Sequence, residues 1–117
     1  MEKRTVDLSV KQVNQTTVVT VAGSVDALTA GEVASFLSEQ IGAGQNQLVA
    51  DLSQVDFMSS AGLRAILATL KESRQQGGDL RLAAAQPGVD KILKMSGFTS
   101  ILKAFSTVDE AIASYSA

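Results

Sequence analysis

Between residues 48 and 70 two kinds of periodicity meet with only a short polar turn between them. Leu48-Val49-Ala50-Asp51-Leu52 is a short apolar run of the sort that fills a buried strand. Beyond it, Leu63, Ile66, Leu67 and Leu70 recur at i, i+3, i+4 and i+7, which is one face of a helix. A buried strand that feeds an amphipathic helix has to lay that helix back on a sheet, so this segment alone argues for an α/β layer structure.

The rest of the chain repeats the pattern. Residues 5–13 alternate weakly through Val6, Leu8 and Val10 and read as an edge strand, with Asn14-Gln15 as a turn. Thr16 to Ala22 is rich in β-branched residues and reads as a buried strand ending at Gly23. Thr29 and Glu32 have the spacing of a capping box, with Val33, Phe36, Leu37 and Ile41 behind them, and Gly42 and Gly44 stop that helix. The third strand is expected to end near Leu52 and the second helix near Gln76, before Gly77-Gly78. Leu80, Leu82 and Ala83-Ala84-Ala85 give a fourth strand, and Pro87 lies early in a helix that Gly97 closes. Ser100 to Phe105 reads as a short last strand. Thr107 and Glu110 make a second capping box, and Val108, Ala111, Ile112 and Tyr115 face inward. The expected fold is one α/β domain over residues 1–117. Its sheet is mixed but mostly parallel, with four to five strands and about four α-helices, and the first two strands pair antiparallel.

Composition removes several function classes. The 117 residues contain no cysteine and no histidine, so thiolate chemistry and the commonest general base and metal ligand are absent. No catalytic residue, metal site or cofactor is expected. The net charge is −2 with scattered lysines and arginines, which does not make the basic stripe that nucleic acid requires. No apolar run is long enough to span a bilayer, and the N-terminus lacks the apolar core of a secretory signal. A cytoplasmic protein with no membrane insertion is expected.

Functional loops in open α/β sheets gather at the carboxyl ends of the strands. Two such ends carry polar side chains here: Gly23-Ser24-Val25-Asp26, and the segment containing Asp56, Ser59 and Ser60. Serine at a helix start is first of all an N-cap, worth about 0.5–2 kcal/mol over alanine, and Asp26 fits an Asx turn. The functional alternative is that a hydroxyl beside the free amides and positive end of the helix tolerates a phosphate. On that reading Ala61 and Gly62 leave the first turn open, since glycine inside a helix costs about 1 kcal/mol relative to alanine. Phe57 is assigned to the core, and Met58, beside the serines, to an adaptable partner contact.

Phe57-Met58-Ser59-Ser60-Ala61-Gly62-Leu63 resembles the signature of the STAS domain family, and specifically its free-standing anti-sigma factor antagonists. Gly23-Ser24-Val25-Asp26 resembles the family's Gly-Glu-Leu-Asp turn, Leu48 to Ser53 its central strand, and Gln86-Pro87-Gly88-Val89 through Met95-Ser96-Gly97-Phe98 its third helix. The likeness covers nearly the whole chain and implies the STAS fold. It also implies a non-enzymatic antagonist that binds an anti-sigma factor serine kinase. Phosphorylation of the motif serine breaks that complex, and a serine phosphatase restores it. The motif serine falls on Ser60. Ser59 stands where the family has Asp, and Ala61 where it has Ser or Thr, which leaves Ser59 as a second candidate for modification. The implied partner surface comprises Ser24, Asp26, Met58, Ser59, Ser60, Gly62 and Arg64.

Three rivals are set against this reading. One is an interaction or scaffold module, in signalling or transport, that is never phosphorylated. Another is a receiver domain with Asp51 as phosphoacceptor, but no acidic pair follows an early strand and no lysine ends the late one. The last is an acid/base set of Asp26, Asp51 and Asp56, for which no substrate pocket is marked.

Overall fold

A computed structural model of the chain describes residues 5–116. In chain order the elements are β1 (Val6–Val13), β2 (Thr16–Val25), α1 (Ala30–Gly42), β3 (Gln47–Met58), α2 (Ser60–Gln75), β4 (Asp79–Ala83), α3 (Pro87–Met95), a 3-10 turn (Phe98–Ser100), β5 (Ala104–Phe105) and α4 (Val108–Ala113). The sheet has the order β1-β2-β3-β4-β5; β1 and β2 are antiparallel and every other pair is parallel.

The sheet advances one strand at a time in one direction, and a helix fills each crossover from β2 to β5. Right-handed crossovers of that kind put α1, α2 and α3 on the same face. There Val33 and Leu37 of α1, Ile66 and Leu70 of α2, and Val89 and Leu93 of α3 close over the apolar side of the central strands. The opposite face is covered only in part. Ala111 of α4 packs there on Val18, Val49 and Ala83, joined by Val108, Ile112 and Tyr115.

A six-residue helix cannot hold itself in place, and Tyr115 docks it. The phenol oxygen lies 2.7 Å from the Leu48 carbonyl and 2.8 Å from that of Asp79, sharing one proton between two acceptors. The Arg81 guanidinium lies 3.8 Å from the ring centre. Asp79 in turn holds Arg74 and Arg81, each at 3.1 Å. Burial first, and the Asp79 carboxylate second, push the Tyr115 phenol well above its usual range.

Several sequence expectations need correction. β3 runs on to Met58 and β2 to Val25, so Asp56 lies on a strand. The fourth strand ends at Ala83; Ala84 turns to φ 59°, although its N–H still donates to the Phe105 carbonyl at 3.0 Å. The last strand is only Ala104–Phe105, with Ser100 in the 3-10 turn.

Candidate functional site

β2 and β3 are parallel neighbours, so their carboxyl ends meet at one edge. The ladder between them is not uniform. Thr20 pairs with Asp51 but Ala22 with Gln54, and Gly23 pairs with Val55 but Ser24 with Phe57. Each break gives β3 one extra residue, and the second is Asp56. A bulge shifts the side-chain alternation by one. Val55 and Met58 therefore both point into the core, although they are three apart, and Phe57 turns outward.

This reverses two sequence assignments. Met58 is 2% exposed and belongs to the core, so its side chain is not a partner contact; Phe57 is 43% exposed and belongs to the surface. Strict alternation carried past Leu52 cannot find either position, because the chain holds no local mark of a bulge there.

The two serines have different surroundings. Ser59 is the N-cap of α2, with extended backbone (φ −95°, ψ 177°), and its Oγ accepts the Gly62 N–H at 3.4 Å. Its own N–H donates to the Val25 carbonyl at 2.9 Å, which fastens the start of α2 to the end of β2. Ser60 is the first residue of α2. It is exposed, and its hydroxyl makes no hydrogen bond among the described residues. Arg64 is exposed one turn further along the same helix face.

Gly62 also departs from expectation. It is buried, and a Cβ placed on it would lie 2.8 Å from Val25 Cγ1, 2.9 Å from Met58 Cγ and 3.0 Å from the Val25 carbonyl oxygen. Glycine is needed there because α2 rests directly on the strand ends, so Gly62 does not expose the first turn to a partner.

The loop after β2 wraps the other side of the edge. Asp26 forms the Asx turn: its Oδ1 accepts the Leu28 N–H at 2.9 Å and the Thr29 N–H at 3.2 Å. Thr29 is positioned as the N-cap of α1, but its hydroxyl makes no cap bond. It accepts the Asp26 N–H at 3.0 Å and donates to the Ser24 carbonyl at 2.7 Å, closing the loop on itself. The Ser24 hydroxyl donates to Asp56 Oδ1 at 2.9 Å and so ties the two strand ends together. Sequence reasoning missed Leu28, which is 79% exposed within this loop. A leucine between two turn residues, outside any helical period, was the available signal.

The elements that meet at this edge thus carry an exposed hydroxyl at the start of α2 and exposed side chains at Leu28, Phe57 and Arg64. Among the described residues no three His, Cys, Asp or Glu side chains gather to hold a metal, and no helix is long and apolar enough to cross a membrane.

Comparisons with known proteins place this arrangement. The chain is 34% identical over 93 residues to a Bordetella bronchiseptica protein named as an anti-sigma factor antagonist, BtrV, spanning 80% of each. It superposes with a TM-score of 0.87 on a crystal structure of an anti-sigma factor antagonist from Mycobacterium paratuberculosis, at 24% identity, covering 94% of this chain and 93% of that one. It superposes with a TM-score of 0.71 on the Bacillus cell fate determinant SpoIIAA in its phosphorylated form, at 22% identity, covering 93% and 99%. The STAS domain description matches residues 7–111, and the chain belongs to the STAS domain family.

Proposed function

We propose that this protein is an anti-sigma factor antagonist that binds an anti-sigma factor serine kinase, and that phosphorylation of Ser60 releases it. The observation that carries the reading is the division of labour between the two serines. Ser59 spends its oxygen on the helix cap, while Ser60 offers a free hydroxyl one residue later. The names of the similar proteins and the phosphorylated state of one structural neighbour support it.

The replacement of the family's Asp by Ser59 fits the same scheme. Aspartate and serine are both strong N-caps, so the cap survives while one negative charge beside Ser60 is removed. The partner surface is then the Ser24–Thr29 loop with Asp26 and Leu28, the outward Phe57, and the start of α2 with Ser60 and Arg64. Met58 and Gly62 support it from below.

Phosphorylation adds roughly −1.5 to −2 charge at neutral pH. The first-turn amides and dipole of α2 accept it at their favourable end. Arg64, one turn on, leans toward the helix N-terminus as helical side chains do. The domain keeps its fold, but a partner seated on Leu28 and Phe57 must desolvate the dianion. A cost of about 3–4 kcal/mol weakens binding some hundreds-fold.

The test uses the purified chain and an anti-sigma factor kinase of the source organism. Ser60→Ala should bind that kinase and take no phosphate from ATP, Ser60→Asp should bind poorly, and Ser59→Ala should still be phosphorylated. Phosphate appearing on Ser59, or undiminished binding by Ser60→Asp, overturns the reading. A chain never phosphorylated in its own cell under any growth condition points to a scaffold module.

A further inference from the structure

We propose that β1 pairs with β1 of a second copy of this chain, antiparallel and centred on Ser9, so that two five-stranded sheets join into one. β1 is the open edge of the sheet and runs eight residues, from Val6 to Val13, against β2 with no break in register. The devices that blunt an edge strand are proline, a bulge, shortness, a covering element or charged side chains, and of the last β1 carries Asp7 and Lys11. Proline and a bulge are absent from β1, and its outer side is uncovered among the described residues. Val10 is left 44% exposed on it.

The backbone geometry suits self-pairing. Val13 and Thr16 flank a two-residue loop and form a hydrogen-bonded pair. Alternation from there turns the N–H and C=O groups of Val6, Leu8, Val10 and Gln12 away from β2. An antiparallel partner centred on Ser9 sets Leu8 opposite the second copy's Val10, and Val6 opposite its Gln12. Every outward backbone group then meets an outward group.

Charge selects this register. Asp7, Ser9 and Lys11 share the other face of β1, and their neighbours on β2 are Ala22, Thr20 and Val18, none of them charged. Neither Asp7 nor Lys11 joins an ion pair among the described residues. Centring on Ser9 puts Asp7 of each copy opposite Lys11 of the other, giving two symmetric ion pairs. Shifting the centre by one residue to Leu8 or Val10 loses both. On the helix face the half-buried Leu8 and exposed Val10 cover each other across the seam. Two α1 helices flank that seam and bring their Glu32 and Glu39 carboxylates, which line the groove beside β1, toward one another. That opposition keeps the association weak at low salt. Ser60 lies at the carboxyl edge, outside the β1 seam, so pairing leaves the Ser60 end of α2 uncovered in each copy.

The absence of cysteine gives a clean experiment on the full chain. Across the two-fold axis Ser9 faces its own copy at a non-hydrogen-bonded position, with Cα atoms about 4.5 Å apart, inside the range a disulfide spans. Lys11 faces its copy at about 13 Å, four residues out of register. Ser9→Cys should form a disulfide dimer on mild oxidation, and Lys11→Cys should not. In sedimentation equilibrium of the cysteine-free chain, Asp7→Lys or Lys11→Asp should weaken dimerisation by about fivefold or more. The double exchange D7K/K11D should restore it. A mass that stays monomeric at the highest soluble concentration, equal cross-linking by the two cysteine variants, or failure of the double exchange to restore pairing each overturns the proposal.

Discussion

The hydroxyl of Ser59 accepts the Gly62 N–H and Ser60 is exposed with no such bond among the described residues, so alanine at the two positions should act differently on stability. Ser59→Ala removes a cap and is expected to cost about 1 kcal/mol in urea unfolding. Ser60→Ala removes only an exposed hydroxyl and should stay within about 0.5 kcal/mol of the parent. Gly62→Ala sets two opposing effects against each other. Alanine gains about 1 kcal/mol in helix propensity, but its Cβ meets Val25 and Met58 at under 3 Å, and both are core residues with no room to swing. Overpacking of that kind costs about 1–3 kcal/mol. A net loss of stability is expected, and a gain would show that α2 can lift from the strand ends. The serines could be read from sequence because a cap and a phosphate site need the same local chemistry. Phe57 and Met58 could not, because their directions are set by a bulge that only the β2 ladder reveals.

Elements differ in how much outside help they need. The second capping box was legible and is formed in part: the Glu110 N–H donates to Thr107 Oγ1 at 3.1 Å, and the two side chains meet at 3.2 Å. What holds α4 on the sheet was not legible, because the acceptors for Tyr115 are carbonyls of Leu48 and Asp79, far away in sequence. Tyr115→Phe leaves those carbonyls without the phenol proton and should cost about 1–2 kcal/mol. Tyr115 also makes a pH prediction. Its folded-state pKa is raised above the unfolded value, so its contribution is complete below about pH 10 and is lost as pH rises beyond that. Alkaline destabilisation should therefore be shallower in Tyr115→Phe than in the parent. The chain has one tyrosine and no tryptophan, so tyrosinate absorbance reports this group alone. Ionisation of the folded protein at the ordinary pH of free tyrosine would contradict the half-buried, doubly bonded phenol.

For the whole molecule, the alternation of strands and helices was legible because each parallel step needs its own crossover. That the sheet runs straight from β1 to β5, leaving one face to α4 alone, is a property of strand order, which no local pattern encodes. This layout bears on how a phosphate at Ser60 would act. α2 lies on the same face as α1 and α3 with its core side formed by Ile66 and Leu70, away from the edge where Ser60 is exposed. Charge added at Ser60 therefore touches no core contact, and it stands at the end of α2 where a negative charge gains about 0.3–1 kcal/mol. Ser60→Asp should keep the parent's circular dichroism and unfold at the same or slightly higher denaturant concentration, while its affinity for the kinase partner falls. Because both quantities come from one preparation, two mechanisms separate. Loss of binding with stability kept means that the dianion blocks a preformed surface. Loss of both means that the modification loosens the α2 start, and the static-surface mechanism is then wrong.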